Sequence, residues 1–156
     1  MRNAIKMVGL LSALTLSACG GDKGEDLGRF VGTWQATSGT GTVVCPGYAP
    51  LTGAVDGNIV WSTGVGSDLV ATDASGCAII VDVQGSTASG VPSKGCTMPD
   101  GAGGVQTITV TAYTFVLSPD GQTATENESG NINDVLDGAT LLCTFNSTAS
   151  YRKLSN

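Results

Sequence analysis

Beyond residue 29, apolar and polar residues alternate with a period of two, and glycine, proline and aspartate interrupt the alternation at short intervals. Phe30, Gly32, Trp34 and Ala36 share one parity and Val31, Thr33 and Gln35 the other, which predicts a first strand. A second covers 41–45 and stops at Pro46-Gly47. Stretches 58–62 and 68–73 pair across a Thr-Gly-Val-Gly turn, and 77–84 is a further strand that ends in a turn at 85–88. The longest β pattern is 106–118. Its apolar parity switches from Ile108, Val110 and Ala112 to Tyr113, Phe115 and Leu117, so a β-bulge is expected near Ala112. Ser118-Pro119-Asp120-Gly121 is a turn, because Pro presets φ and Gly tolerates the exit conformation. A polar strand returns over 122–128. Residues 131–137 are ambiguous, since Ile132, Val135 and Leu136 have helical spacing. The last strand runs from 139 to about 152, with Leu141, Cys143, Phe145, Ala149 and Tyr151 on one face. The expected fold is all-β: eight to nine antiparallel strands in a barrel or sandwich over 29–154, with no helix of its own.

The residues before this domain follow a different pattern. Arg2 and Lys6 precede ten uncharged residues, Met7 to Leu16, and the small pair Ser17-Ala18 then leads to Cys19. Such an order marks a signal peptide, 1–18, which should be helical and is too short to span a bilayer, since that needs roughly 20 apolar residues. Leu16-Ser17-Ala18-Cys19 resembles the lipobox of bacterial lipoproteins. The resemblance implies cleavage before Cys19, a diacylglycerol on its thiol and an acyl chain on the new amino terminus. Gly20 stands where an Asp would resemble an inner-membrane retention signal, so the resemblance implies the outer membrane of a Gram-negative envelope. Residues 19–28 are then a lipidated cysteine with a flexible, Gly-rich tether.

Charge narrows the partners. Removing the leader leaves five basic against 13 acidic residues, a net −8. Phosphate contacts with nucleic acid are excluded on that balance, and so is attraction to anionic headgroups. The lipid is the expected route to the membrane. Four further cysteines, Cys45, Cys77, Cys96 and Cys143, form an even set in an exported chain and imply two disulfides. With no histidine and no C-x-x-C pair, zinc is disfavoured. A hairpin turning about the Ser86–Thr87 bond would set residue 77 opposite residue 96. That predicts Cys77–Cys96 and leaves Cys45–Cys143. In the loop-entropy account these restrain the unfolded chain by about 3 and about 4–5 kcal/mol.

Gly32-Thr33-Trp34 on the first strand resembles the G-x-W signature of the lipocalin and avidin (calycin) superfamily. The resemblance implies an eight-stranded barrel whose Trp plugs one end beneath an Arg of the last strand, a role that falls to Arg152. The T-D-Y-type motif of lipocalins and their C-terminal helix pattern are absent.

Little else carries chemistry. Without histidine, nucleophilic constellations lack their usual base, and Ser93-Lys94 are adjacent on a loop. Glu126 and Glu128 read as two exposed acids on a polar strand. Asp100, Asp120, Asp134 and Asp137 read as turn acids without a calcium-loop pattern. The expected protein is not an enzyme and takes no cofactor or metal. Trp34, Trp61, Tyr113, Phe115 and Phe145 are expected to fill a small core, with ligand lining as the other use of all five and of Arg152. The leading expectation is a lipid-anchored, non-enzymatic envelope lipoprotein that acts by surface contact with an envelope protein, in assembly, adhesion or structure. The alternative is a lipocalin-like carrier of a small apolar ligand. Replacing Cys19 by Ser should release or mislocalise the protein while far-UV circular dichroism stays unchanged. Membrane retention without incorporation of labelled palmitate would contradict this.

Overall fold

One helix and ten strands make up the computed structural model, which describes residues 23–90, 95–99, 104–136 and 139–155. The leader, Cys19, Lys94, Asp100 and Asp137 lie outside the described residues. The elements are α1 (Lys23–Phe30), β1 (Gly32–Val44), β2 (Leu51–Ala54), β3 (Asn58–Thr63), β4 (Leu69–Asp73), β5 (Ala78–Gln84), β6 (Thr87–Gly90), β7 (Cys96–Pro99), β8 (Val105–Leu117), β9 (Thr123–Leu136) and β10 (Ala139–Ser155). Eight strands close an antiparallel barrel in the order β1, β3, β4, β5, β6, β8, β9, β10, and β10 returns to β1. The architecture is therefore a barrel and not a sandwich. β2 and β7 stand outside the closed circuit, paired to β1 and β8 respectively.

Strand length gives the barrel two unlike ends. The lower part of β1 pairs with β3 over Gly32–Gln35, and its upper part pairs with β2 over Thr40–Val43. Likewise β8 pairs with β6 over Thr114–Val116 and with β7 over Ile108–Val105. β1, β10, β9 and β8 thus rise as a tall wall, while β3 to β6 form a low one. The expected bulge is present, as a register shift between Val110 and Ala112 on β8. Glycine makes room on the tall wall: a Cβ at Gly130 would lie 2.6 Å from the Phe145 ring.

Aromatic side chains plug the closed end. Phe30, Trp34, Trp61 and Phe115 are fully or almost fully buried. Their ring centroids lie 4.9 Å apart for Trp61 and Phe115, 5.3 Å for Trp34 and Phe115, and 5.5 Å for Phe30 and Trp61. Such tilted and edge-on pairs add about 0.5–1.5 kcal/mol each beyond their area. Trp34 Nε1 donates to the Phe30 carbonyl at 2.8 Å, so the indole both fills the floor and ties down α1. Arg29 Nη2 donates to the Ser118 and Pro119 carbonyls at 3.1 and 3.2 Å, fixing α1 to the β8–β9 turn.

Several expectations change here. Residues 23–28, read as flexible tether, belong to α1. Glu25 and Asp26 in its first turn and Arg29 in its last suit the helix dipole, and Leu27 and Phe30 turn one face to the core. Gly32, at φ 126°, then redirects the chain into β1. The two strands expected at 30–36 and 41–45 are one, because the polar stretch between them holds a bulge between Ala36 and Ser38 instead of a turn. Residues 131–136 continue β9, since pairing on both flanks outweighs three apolar residues at helical spacing.

Both disulfides form as expected, with Cα separations of 4.3 Å for Cys45–Cys143 and 5.6 Å for Cys77–Cys96. The geometry behind the second differs. The β5–β6 hairpin pairs Gln84 with Thr87, two residues off the assumed register, which would have set Gln84 opposite Ser89, and β6 ends at Gly90. Cys96 reaches Cys77 from β7, a separate strand held by β8.

Arg152 does not cover Trp34. It lies on the outer face and donates Nε and Nη2 to Gln35 Oε1 at 3.1 and 2.6 Å. The cation over the indole is Lys153, whose Nζ stands 5.6 Å from the ring centroid and donates to the Arg29 carbonyl at 2.9 Å. Burial holds its pKa below the usual lysine value. Lys153→Ala should therefore lower stability in urea by about 1–2 kcal/mol, whereas Arg152→Ala should stay within about 0.5 kcal/mol of the parent.

Candidate functional site

The difference in wall height leaves the opposite end of the barrel open. A cavity of about 290 Å³ sits there, at the lower edge of the size range of small-molecule pockets. Ile59, Ala71, Ile79, Ile108, Val110 and Phe145 give it apolar walls. Asp56, Asn58, Cys77, Cys96 and Met98 lie among the remaining residues around it.

Four acidic residues line this space: Glu126 and Glu128 from β9, Asp73 from the end of β4, and Asp56 from the loop between β2 and β3. β9 places the first two by simple parity. Ala124, Glu126, Glu128, Gly130 and Ile132 alternate with Thr123, Thr125, Asn127 and Ser129, and the first set points inward. Across the ladder, Glu126 stands between Phe115 and Ala149, and Glu128 between Tyr113 and Ser147. The expectation that these acids lie exposed on an outer face is therefore overturned. Glu126 is only 5% exposed, and Glu128 is mostly covered.

Tyrosines serve the pair from the floor. Tyr151 Oη donates to Glu126 Oε2 at 2.8 Å. The Tyr113 hydroxyl is buried beside the same carboxyl without a hydrogen-bond partner, and Trp61 Nε1 below it is also unpartnered. Asp73 is engaged on one oxygen, with Oδ1 accepting from the Ser75 amide and hydroxyl and from the Cys77 amide at 2.6–2.9 Å. No described residue that lines the cavity is basic.

Burial without a counter-charge shapes the acidity. Burial raises Glu126 above the ordinary glutamate value, and the hydrogen bond from Tyr151 partly opposes the shift. Burial raises Glu128 from 4.5 to about 7, aided by the negative charges of Glu126 and Asp73. Both tyrosines are pushed up, by burial first and by the Glu126 charge second. Near neutral pH Glu128 is thus divided between its protonated and ionised forms, in a largely apolar wall.

Of the residues first considered as ligand-lining, Phe145 forms part of the cavity wall. Trp34, Trp61, Tyr113 and Phe115 are packed as core at and above the plug, as their core assignment expected, and Arg152 is outside. The acids were missed although parity places them inside: Ala124 and Ile132 flank them on the same face.

Glu128 also sets a pH dependence of stability. Its proton affinity is higher in the folded than in the unfolded chain, so stability falls as pH rises from about 4.5 through about 7. The loss is of the order of 3 kcal/mol when complete. The melting temperature of the ligand-free protein should be higher near about pH 5 than near about pH 8, and Glu128→Gln should flatten that difference.

Among solved structures, one crystal structure is similar to this chain, that of a protein of unknown function from the DUF3598 family of Nostoc punctiforme PCC 73102. The match covers 82% of this chain and 49% of that one, at 8% identity and a TM-score of 0.35. This chain thus spans about half the length of that protein. No family model and no curated protein matches the sequence.

Proposed function

We propose that this protein is a lipid-anchored envelope lipoprotein that binds a small molecule, without transforming it, in the open end of its barrel. The observation that carries the proposal is the cavity: about 290 Å³, open on one side, apolar in its walls and acidic at its base. A core packed solid would have favoured action by surface contact. Here the interior is filled only at the plugged end, which moves the choice to the carrier. The ligand suited to such walls is amphipathic, apolar along most of its length and polar where it meets Glu126, Glu128 and Tyr151, and not wholly apolar as a generic lipocalin-like carrier would imply.

Three further features support the reading. Trp34 on the first strand beneath a cation of the last strand, in an eight-stranded closed barrel, is the arrangement that the calycin resemblance implies, with Lys153 in the place expected of Arg152. The lipobox supports attachment at Cys19 to the outer membrane. Asp73 faces Glu126 and Glu128 from across the barrel, but its Oδ1 is held by the Ser75 amide and hydroxyl and the Cys77 amide as part of a turn, whereas a glycosidase flanks its scissile bond with two carboxyls placed to act on it. That placement favours holding over hydrolysis.

The test uses the full chain carrying Cys19→Ser, which takes no acyl chain, and an environment-sensitive naphthylamine fluorophore. Fluorescence should rise saturably on binding. Ala71→Leu, which fills the cavity from β4, and Ile79→Trp, which narrows it from β5, should each weaken binding by about tenfold or more with unchanged circular dichroism. Saturable binding that both variants leave intact would place the ligand elsewhere and overturn the proposal.

A further inference from the structure

Resting on the cavity reading above, we infer that the ligand's polar end is a cation, a protonated amine or a quaternary ammonium, seated against Glu126 and Glu128 beneath Phe145. The carboxyls alone would be an acidic cluster of no set purpose. Two independent features turn them into a receptor. First, they lie at the base of an open apolar cavity, so whatever enters meets them. Second, Glu126 is only 5% exposed yet lines the cavity, and a described donor reaches it on Oε2 alone. A ligand group at the base of the cavity would reach the other oxygen.

The sign of the charge follows from what surrounds the site. No described residue donates a hydrogen bond to Glu128, and Glu126 has a described donor only on Oε2. Two acidic side chains therefore retain acceptor capacity inside an apolar wall where no described residue supplies a positive charge. A carboxylate or phosphate ligand would add like charge to a cavity that already disfavours it. A neutral ligand would leave the acids uncompensated. An ammonium group supplies both the charge and the N–H donors, and the rings of Phe145 and Tyr151 on β10 offer it π faces. Among the described residues no group of three acids converges closely enough to hold a metal ion, so an organic cation with an apolar tail is the better fit.

Binding is then coupled to protons. The groups facing Glu128 are Glu126 on its own strand, Asp73 from β4, Tyr113 from β8 and Tyr151 from β10. An arriving cation favours ionised Glu128, displaces its proton, and binds more tightly as pH rises until that carboxyl is fully ionised.

Isothermal titration of the full chain carrying Cys19→Ser with octylamine, 1-octanol and octanoate separates the possibilities. Octylamine should bind at least about tenfold more tightly than octanol, octanoate should bind more weakly than either, and octylamine binding near neutral pH should release a proton. Glu128→Gln, with Glu126→Gln as the second variant should the first fail to fold, should bring amine and alcohol together while octanol affinity is kept. If octanol or octanoate binds the parent as well as octylamine does, the cationic assignment falls and the cavity proposal stands. If none of the three binds, both fall.

Discussion

Pairing of the first strand with the last is the interaction on which everything else in this molecule rests. β1 and β10 run side by side from Thr33 opposite Ser155 to Val44 opposite Thr144, and Cys45–Cys143 locks the far end of that ladder. Without it the eight barrel strands form an open sheet with two long unpaired edges, the kind of edge that invites pairing between molecules. With it there is an inside. The same ladder sets Trp34 opposite Lys153 and so assembles the floor.

The two halves of that inside have opposite characters because the strands have unequal lengths. Where all eight strands are present, aromatic rings interlock. Where only the tall wall continues, side chains from one side face an incompletely covered space, and that is where the carboxyls sit. Burial of Glu126 and Glu128 works against folding, and the aromatic plug and the two disulfides supply the stability that lets the chain tolerate it. Local choices that oppose stability gather where a protein works, and here they gather at one end.

Much of the fold was legible in the sequence. The period-two pattern gave the strand class, the parity switch in 106–118 located the bulge, and cysteine arithmetic gave both bridges. What failed did so for tertiary reasons. α1 is eight residues long and too short to hold alone, and it exists because Phe30 and Leu27 have a floor to pack on. β2 and β7, four residues each, carry almost no pattern of their own and are defined by the neighbour that pairs with them. The site was legible in one respect and was misread. On β9 both parities are polar, so hydrophobicity alone does not choose a face, but Ala124 and Ile132 do, and counting from them places Glu126 and Glu128 inside. The same counting from Ala149 and Tyr151 selects Lys153 over Arg152. No parity rule reveals that the interior is left partly empty, because emptiness depends on how far neighbouring strands continue.

The disulfides have a consequence for when the cavity exists. Both lie toward its open end, and Cys77 and Cys96 are themselves part of the wall. That wall joins the β4–β5 turn to a four-residue strand held otherwise by β8 alone. Before oxidation the rim lacks its covalent clasp, and β7 is held by its pairing with β8 alone, so the full cavity wall is a product of disulfide formation as much as of strand pairing.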